Sequence, residues 1–193
     1  MVVHDDAVLE IATRILVAEP TASLGDIAKA AGLSRTSLHT RFPTRASLLV
    51  ALAHEAMDLV AKAYVEARLD ADEDVEHPLR RLLELAVPLG PRMEFLLRER
   101  SLDADREITA RYAALDRPLI DLVTRGQAAG QLRADLPAWW VAAALVGTVY
   151  VAWEAVAEGR LAPRDAPELV LTTVLHGTAS RSASHPDTPR GTP

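Results

Sequence analysis

The chain has 193 residues, of which 49% are hydrophobic, and its formal net charge is −6. This length suffices for one domain with a substantial core or for a small domain joined to a larger one, and the hydrophobic content excludes a disordered protein. The absence of cysteine excludes disulfides, thiolate nucleophiles and cysteine-based metal sites, and it agrees with a reducing cytoplasm.

The first predicted helix begins at the acidic residues 5 and 6. Val8, Ile11 and Ile15 then recur at helical spacing, and Pro20 closes the helix. Acidic residues also stand where a signal peptide would need a basic region, so we expect the chain to remain in the cytoplasm.

Two short helices are predicted next, separated by a turn. Ser23 and Asp26 have the spacing of a capping box, which opens a helix ending near residue 31. Gly32 supplies the turn, Ser34 caps the second short helix, and Pro43 ends it. A cap at residue 44 then opens a long fourth helix.

The rest of the chain is also predicted to be helical. The acidic stretch 70–77 is interpreted as a loop, and Pro118 is expected to kink the helix that contains it. The predicted helical segments are 78–90, 91–100, 105–130, 137–159 and 165–176. The polar, proline-rich tail 180–193 is expected to be disordered.

Residues 136–153 are uncharged and reach the lower edge of transmembrane length. The run opens with a proline, is rich in alanine and has no flanking basic cluster. We therefore predict a buried helix and no membrane association.

The segment 32–42 has the layout of the second helix of a helix-turn-helix, which enters the DNA major groove. Leu33, Leu38 and Phe42 are predicted to form a small core with Ile27. With Leu38 facing inward, a helical wheel directs one set of polar side chains outward. This outward set is Thr36, Ser37, His39 and Thr40, flanked by Arg35 and Arg41.

The local charge agrees with a DNA-binding surface. Residues 27–54 contain Lys29, Arg35, Arg41 and Arg45 and no acidic residue, although the whole chain is acidic. An acidic protein can bind DNA when its basic groups face the phosphates together.

Residues 23–52, "SLGDIAKAAGLSRTSLHTRFPTRASLLVAL", resemble the DNA-binding segment of the TetR family of bacterial transcriptional repressors. His39 stands where that family usually has tyrosine, and Arg41 where it usually has histidine. The positions that carry the resemblance are Ile27, Ala28, Ala31, Gly32, Leu33, Ser34, Ser37, Leu38, Phe42, Arg45, Leu48 and Leu49.

The resemblance implies an all-α chain in which an N-terminal three-helix DNA-binding domain with a helix-turn-helix (1–48) precedes a helical bundle for effector binding and dimerisation (49–179). It implies a homodimeric repressor that binds a palindromic double-stranded DNA operator and is released by a small-molecule effector. The residues expected to meet the operator are Lys29, Arg35, Thr36, Ser37, His39, Thr40, Arg41 and Arg45, with Arg45 gripping a phosphate at a helix start.

Two apolar stripes are predicted on the helix near residues 139–156. Trp139, Val146, Tyr150 and Trp153 form an aromatic stripe that suits the interior of the domain. The opposite stripe, with smaller residues, suits packing against a second chain. It comprises Val141, Leu145, Thr148, Ala152 and Val156. A wholly internal helix in a monomer is the alternative.

Together with the family resemblance, the aromatic and soft side chains of the bundle suggest a mainly apolar pocket for an apolar or aromatic effector, with Tyr112 and Tyr150 as polar anchors. The pocket residues expected are Met93, Phe95, Tyr112, Trp139, Tyr150 and Trp153. The alternative is that these side chains simply fill the core.

Enzymatic motifs are incomplete. The segment from His54 to Asp58 is half of a zinc-protease motif, and residues 70–74 alternate like a calcium loop that lacks its glycine and glutamate. We therefore expect no catalytic residue, metal or cofactor. The alternative function is a helical ligand carrier or metal-dependent enzyme that does not bind DNA.

Overall fold

The computed structural model describes residues 5–71 and 74–178. Over these ranges the chain forms ten α-helices and two short 3₁₀ helices, at 87–89 and 100–104. The α-helices are α1 (Asp5–Ala18), α2 (Leu24–Ala30), α3 (Arg35–Arg41), α4 (Arg45–Glu66), α5 (Glu76–Ala86), α6 (Gly90–Arg98), α7 (Arg106–Leu115), α8 (Arg117–Ala128), α9 (Ala138–Ala157) and α10 (Ala166–Thr178). The predicted tail 180–193 lies outside the described residues.

The predicted caps set the ends of the first helices. The Ser23 and Asp26 side chains each accept from the other residue's backbone N–H, which completes a capping box at the start of α2. Thr44 and Ser47 do the same at the start of α4. Such side chains satisfy N–H groups that have no partner within the helix.

Two predicted helices are divided in the structure. The segment 105–130 was predicted to be one kinked helix, but α7 ends at Leu115 and α8 begins at Arg117. Pro118, within the first turn of α8, has no N–H to continue the earlier helix. Likewise α5 ends at Ala86, and a 3₁₀ turn containing Pro88 leads into α6.

The buried side chains form two clusters that meet along α4. The N-terminal cluster contains the apolar faces of α1 to α3 and the first half of α4, with Met57 as its last α4 member. The second cluster begins at Val60 and joins α4 to α5, α8, α9 and α10. Phe95 of α6 and Ile108 of α7 belong to the first cluster, so these two helices connect the bundle to the N-terminal helices.

Candidate DNA-binding surface and ligand cavity

Local sequence fixes the turn between α2 and α3. Gly32 has a φ of 66°, a left-handed conformation that glycine adopts without a side-chain penalty. The Leu33 N–H donates to the Ala28 carbonyl (2.8 Å), and the Ser34 hydroxyl accepts from the Ser37 N–H (3.0 Å). Leu38 is completely buried and anchors α3 to the small core. These contacts set the turn before α3 and pack α3 onto the small core.

The outer side of α3 carries the predicted polar side chains. Thr36, Ser37, His39 and Thr40 are all exposed, as the helical wheel predicted. The Thr40 hydroxyl donates to the Thr36 carbonyl (2.9 Å), so it already has a partner on its own helix. The basic residues beside this surface are Arg35 and Lys29, both exposed, and Arg41, which is half-buried.

Arg45, which was predicted to grip a phosphate, has backbone partners within the chain. Its guanidinium donates to the carbonyls of Pro20 and Ala22, in the turn between α1 and α2. Both carbonyls follow α1 in the chain, and Arg45 supplies each with a donor. These two contacts brace the α1–α2 turn, and the phosphate contact of Arg45 stays a prediction.

The bundle encloses an apolar cavity between α4, α5, α6, α8 and α9. The volume of this cavity is about 40 Å³. Leu83, Leu119 and Val149 contribute to an aliphatic wall, while Tyr64, Tyr150 and Trp153 add aromatic rings. The Tyr150 and Trp153 rings lie 6.3 Å apart between centroids, at a tilt of 34°.

Three of the six predicted ligand residues line this cavity, namely Met93, Tyr150 and Trp153. The other three do not line this cavity, and their contact with a ligand stays a prediction. Phe95 faces the N-terminal core, which Tyr112 also contacts from α7, and Trp139 is 59% exposed. Phe95 and Tyr112 lie on amphipathic helices, but the helix wheel does not say which neighbour the apolar face meets.

Most cavity residues were missed from the sequence, Tyr64 and Gly90 among them. Tyr64 of α4 is buried against the cavity, and burial, followed by the nearby Asp116 carboxylate, raises the pKa of its hydroxyl. Gly90 is covered by the indole of Trp153, which occupies the space that a Cβ would need. The four-residue spacing from Val60 to Tyr64 could have predicted that Tyr64 faces the core, whereas the placement of Gly90 depends on the crossing of α6 and α9.

A charged cluster borders the Tyr150 side of the cavity. The Tyr150 hydroxyl donates to Glu154 (2.9 Å) and accepts from Arg98 (3.2 Å). Arg98 also pairs with Glu94 of α6 at 2.6 Å. Of these residues only Tyr150 lines the cavity, so the charged cluster lies beside the cavity and the cavity walls themselves are almost wholly apolar.

The aromatic stripe of α9 lies mostly where it was predicted, since Val146, Tyr150 and Trp153 line the cavity, but Trp139 is exposed. The second stripe faces another direction than predicted. Val141, Leu145 and Ala152, expected to contact a second chain, are buried within their own bundle. The exposed apolar face instead includes Trp140, 54% exposed, and Val151, 61% exposed. Because α9 is apolar on almost every side, its periodicity could not identify the face that packs inside the chain.

The exposed apolar face of α9 also bears on whether this helix could cross a membrane. Among the described residues α9 is long and apolar enough to cross a membrane, and only 28% of its apolar window is buried in the chain. The prediction of a buried helix is therefore met on one side of α9 only. Its packing against α8 and α10 accounts for that side.

His54 and Asp58, the residues of the incomplete zinc motif, have other partners. His54 Nδ1 lies 2.6 Å from an Arg111 nitrogen, and Asp58 pairs with the same guanidinium. Within residues 5–71 and 74–178, no cluster of three or more acidic or histidine side chains could hold a metal ion. These contacts join α4 to α7.

Comparison with known proteins gives consistent relatives, although no family model matches the chain. The HTH-type transcriptional repressor LfrR of Mycolicibacterium smegmatis is 34% identical over 153 residues, 79% of each chain. The HTH-type transcriptional regulator NfxB of Pseudomonas aeruginosa is 26% identical over 187 residues, covering 95% of this chain and 99% of NfxB. The crystal structure of the TetR-like regulator LfrR from Mycobacterium smegmatis with proflavine superposes with a TM-score of 0.76 at 30% identity, covering 89% of this chain and 94% of LfrR.

Proposed function

Because the chain belongs to the TetR family of transcriptional regulators, we propose that it is a repressor that binds a palindromic operator as a homodimer and is released by an apolar or aromatic effector. Its relatives are regulators and not enzymes, so the metal-dependent enzyme is set aside. The single observation that carries the proposal is the polar outer face of α3 in a chain one-third identical to a repressor. Its site of action would be the bacterial cytoplasm, where the chromosome lies.

In this proposal residues 1–48 bind DNA and residues 49–179 bind the effector and the second chain. Thr36, Ser37, His39 and Thr40 would reach base edges and nearby phosphates in the major groove. The basic groups of Lys29, Arg35 and Arg41 would neutralise phosphates, which position the helix without reading sequence. A good bidentate arginine–guanine pair would add about 1–3 kcal/mol of discrimination.

The homodimer would form on the exposed face of α9 and the adjoining α10. Trp140, Gly147 and Val151 lie exposed along one side of α9, and Leu169 of α10 is 53% exposed. Exposed apolar residues aligned on two neighbouring helices mark a protein interface, and two such pairs form a four-helix contact. A second copy is preferred to a membrane because the opposite side of α9 packs into the bundle. The two-fold axis would give the operator its palindrome, with half-sites about 34–36 Å apart.

Effector binding would act on DNA through α6. The cavity's open space is too small for a ring-containing ligand, so entry requires a side chain or helix to move. Trp153 covers Gly90 at the start of α6, and α6 packs against α1 in the N-terminal core. A ligand that displaces Trp153 therefore favours a different α6 position. The ligand releases DNA if this α6 position misplaces the α3 helices of the two chains relative to the operator.

The test combines ligand and DNA binding. A compound library is screened by thermal shift, and each stabilising compound is titrated into the complex with DNA from upstream of the chain's own gene. We expect compounds that occupy the cavity to lower DNA affinity, and Trp153→Ala to weaken both effects together because the two binding equilibria are linked. Cavity ligands that leave operator affinity unchanged would contradict the proposed switch.

A further inference from the structure

An open groove lies on the outer side of the bundle, beside the apolar cavity. It runs between α4, α7 and α8, and its volume of about 470 Å³ falls within the range of small-molecule sites. Most of its walls are apolar, and they include Val65, which is 76% exposed. The other lining residues are Ala61, Tyr64, Leu69, Asp70, Arg111, Ala114, Leu115 and Pro118. The groove can therefore receive a small organic molecule from solvent.

The groove and the cavity lie on two sides of α4 and share one side chain. Val60 and Ala63 line the cavity, whereas Ala61 and Val65 line the groove. Of the described residues that line these two spaces, Tyr64 alone lines both. Its side chain therefore stands between the cavity and the groove.

A hydrogen bond holds the Tyr64 ring in this position. The Tyr64 hydroxyl donates to the carboxylate of Asp116, which lies between the end of α7 and the start of α8. Burial raises the pKa of the Asp116 carboxyl, and the hydrogen bond from Tyr64 opposes this rise. Hydrogen bonds to a charged acceptor are stronger than those between neutral groups. The bond therefore favours the position of the ring that separates the two spaces, and a turn of the ring breaks it.

The position of the groove suits an entrance. The cavity, at about 40 Å³, cannot admit a ring-containing molecule unless a side chain moves. In the proposed homodimer a second chain covers the exposed face of α9, so an entrance there would be blocked. The described groove residues belong to α4, α7, α8 and the segment that follows α4, and none of them belongs to α9 or α10. The groove therefore stays open to solvent in the proposed dimer.

We propose that this groove is the entrance to the effector cavity and that Tyr64 is its gate, which Asp116 holds shut. The inference rests on the proposed function, because it takes the cavity as the effector site. It assigns a route to the ligand and a gating role to two residues. Since the ring can return to Asp116 after the ligand has passed, the gate controls the rates of entry and exit more than the affinity.

The first test weakens the bond that holds the gate. Stopped-flow fluorescence follows the binding of N-phenyl-1-naphthylamine, a neutral compound that fluoresces in apolar surroundings. Tyr64→Phe keeps the ring and removes the hydroxyl. We expect its association and dissociation rate constants both to rise about tenfold, equivalent to about 1.4 kcal/mol, with little change in the dissociation constant. Asp116→Asn keeps an acceptor without the charge, so both rate constants should rise by less.

Matched controls are available on α7. Tyr112 is a second tyrosine near Asp116, but it lines neither the groove nor the cavity. Tyr112→Phe should therefore keep the wild-type rate constants. Trp153→Ala, which removes part of the cavity wall, should lower the affinity for the probe and so locate the probe in the cavity.

The second test obstructs the groove without changing the cavity. Ala114 is exposed and lines the groove, whereas the neighbouring Ala113 is exposed and lines neither space. Ala114→Phe should slow both association and dissociation because the added ring fills the entrance. Ala113→Phe should behave as the wild type.

The outcomes separate this inference from the proposed function. An association rate constant that is unchanged in Tyr64→Phe and Asp116→Asn, or unchanged in Ala114→Phe, overturns the entrance while leaving the cavity as an effector site. Failure of the probe to bind, or an affinity that Trp153→Ala leaves unchanged, contradicts the cavity as the effector site and its entrance with it. Operator binding, measured by gel shift without the probe, reports on the repressor function itself.

Discussion

Replacement of Gly90 by alanine tests the contact through which the cavity would reach the DNA-binding helices. A Cβ at this position would lie 1.5 Å from Trp153 Cδ1 and 1.9 Å from its Cγ. Since carbon atoms in contact lie about 3.5 Å apart, the indole or α6 must retreat by about 2 Å. The backbone at Gly90 is helical, with φ −43° and ψ −50°, so alanine itself introduces no strain there.

The expected cost follows from these two facts. Overpacking should lower the free energy of unfolding by about 1–3 kcal/mol, offset in part by the better helix propensity of alanine. In a Trp153→Ala background the obstacle is absent, so Gly90→Ala should be neutral or slightly stabilising. The double-mutant cycle should therefore give a coupling of about 1–3 kcal/mol.

Urea unfolding of the four proteins measures this coupling, and anisotropy with operator DNA measures its consequence. We expect Gly90→Ala alone to weaken DNA binding because α6 packs against α1. An equal change in unfolding free energy in both backgrounds would refute the steric argument. Normal DNA affinity in a destabilised Gly90→Ala protein would instead refute the route through α6.

Further predictions concern phosphate contacts, dimerisation and pH. For DNA binding, Arg35→Ala should lower the slope of log K against log salt by about 0.9. Arg45→Ala should leave this slope unchanged and reduce thermal stability. The reverse pattern would assign the phosphate contact to Arg45. Val151→Glu should yield monomers by light scattering, whereas Val65→Glu, at a residue 76% exposed on α4, should not; two dimeric variants would exclude the α9 interface. Because burial raises the pKa of Glu94 above 4.5, its contribution to stability is fully present below that pH and is lost as pH rises through the folded-state pKa. Urea unfolding across pH should therefore show Glu94→Gln gaining stability relative to wild type as pH rises, and a constant difference would contradict this.

Local signals in the sequence accounted for the DNA-binding helices. Ser23 and Ser34 cap their helices through neighbours three residues away, and Gly32 makes its turn with backbone alone. Leu38 could be placed inward because α3 has one strongly apolar direction. These features depend on short segments, so the sequence contained nearly all the information needed.

Contacts between residues far apart in the chain could not be predicted from the sequence in the same way. Arg45 lies in an uninterrupted basic segment, but its partners are carbonyls more than twenty residues earlier in the chain. Leu145 and Val151 are equally apolar, and only the arrangement of α8 and α10 determines which of them is buried. Phe95 was likewise predicted to line the cavity, but the path of α6 places it in the N-terminal core.

The most direct test of the account is DNA binding by the outer face of α3. Fluorescence anisotropy compares the wild type with a variant carrying alanine at Thr36, Ser37, His39 and Thr40, using DNA from upstream of the chain's own gene and a scrambled duplex. We predict that the wild type prefers the upstream DNA and that the variant loses this preference while unfolding at nearly the same temperature, because all four side chains are exposed. An unchanged preference in a folded variant would contradict the assignment of α3 as the recognition helix.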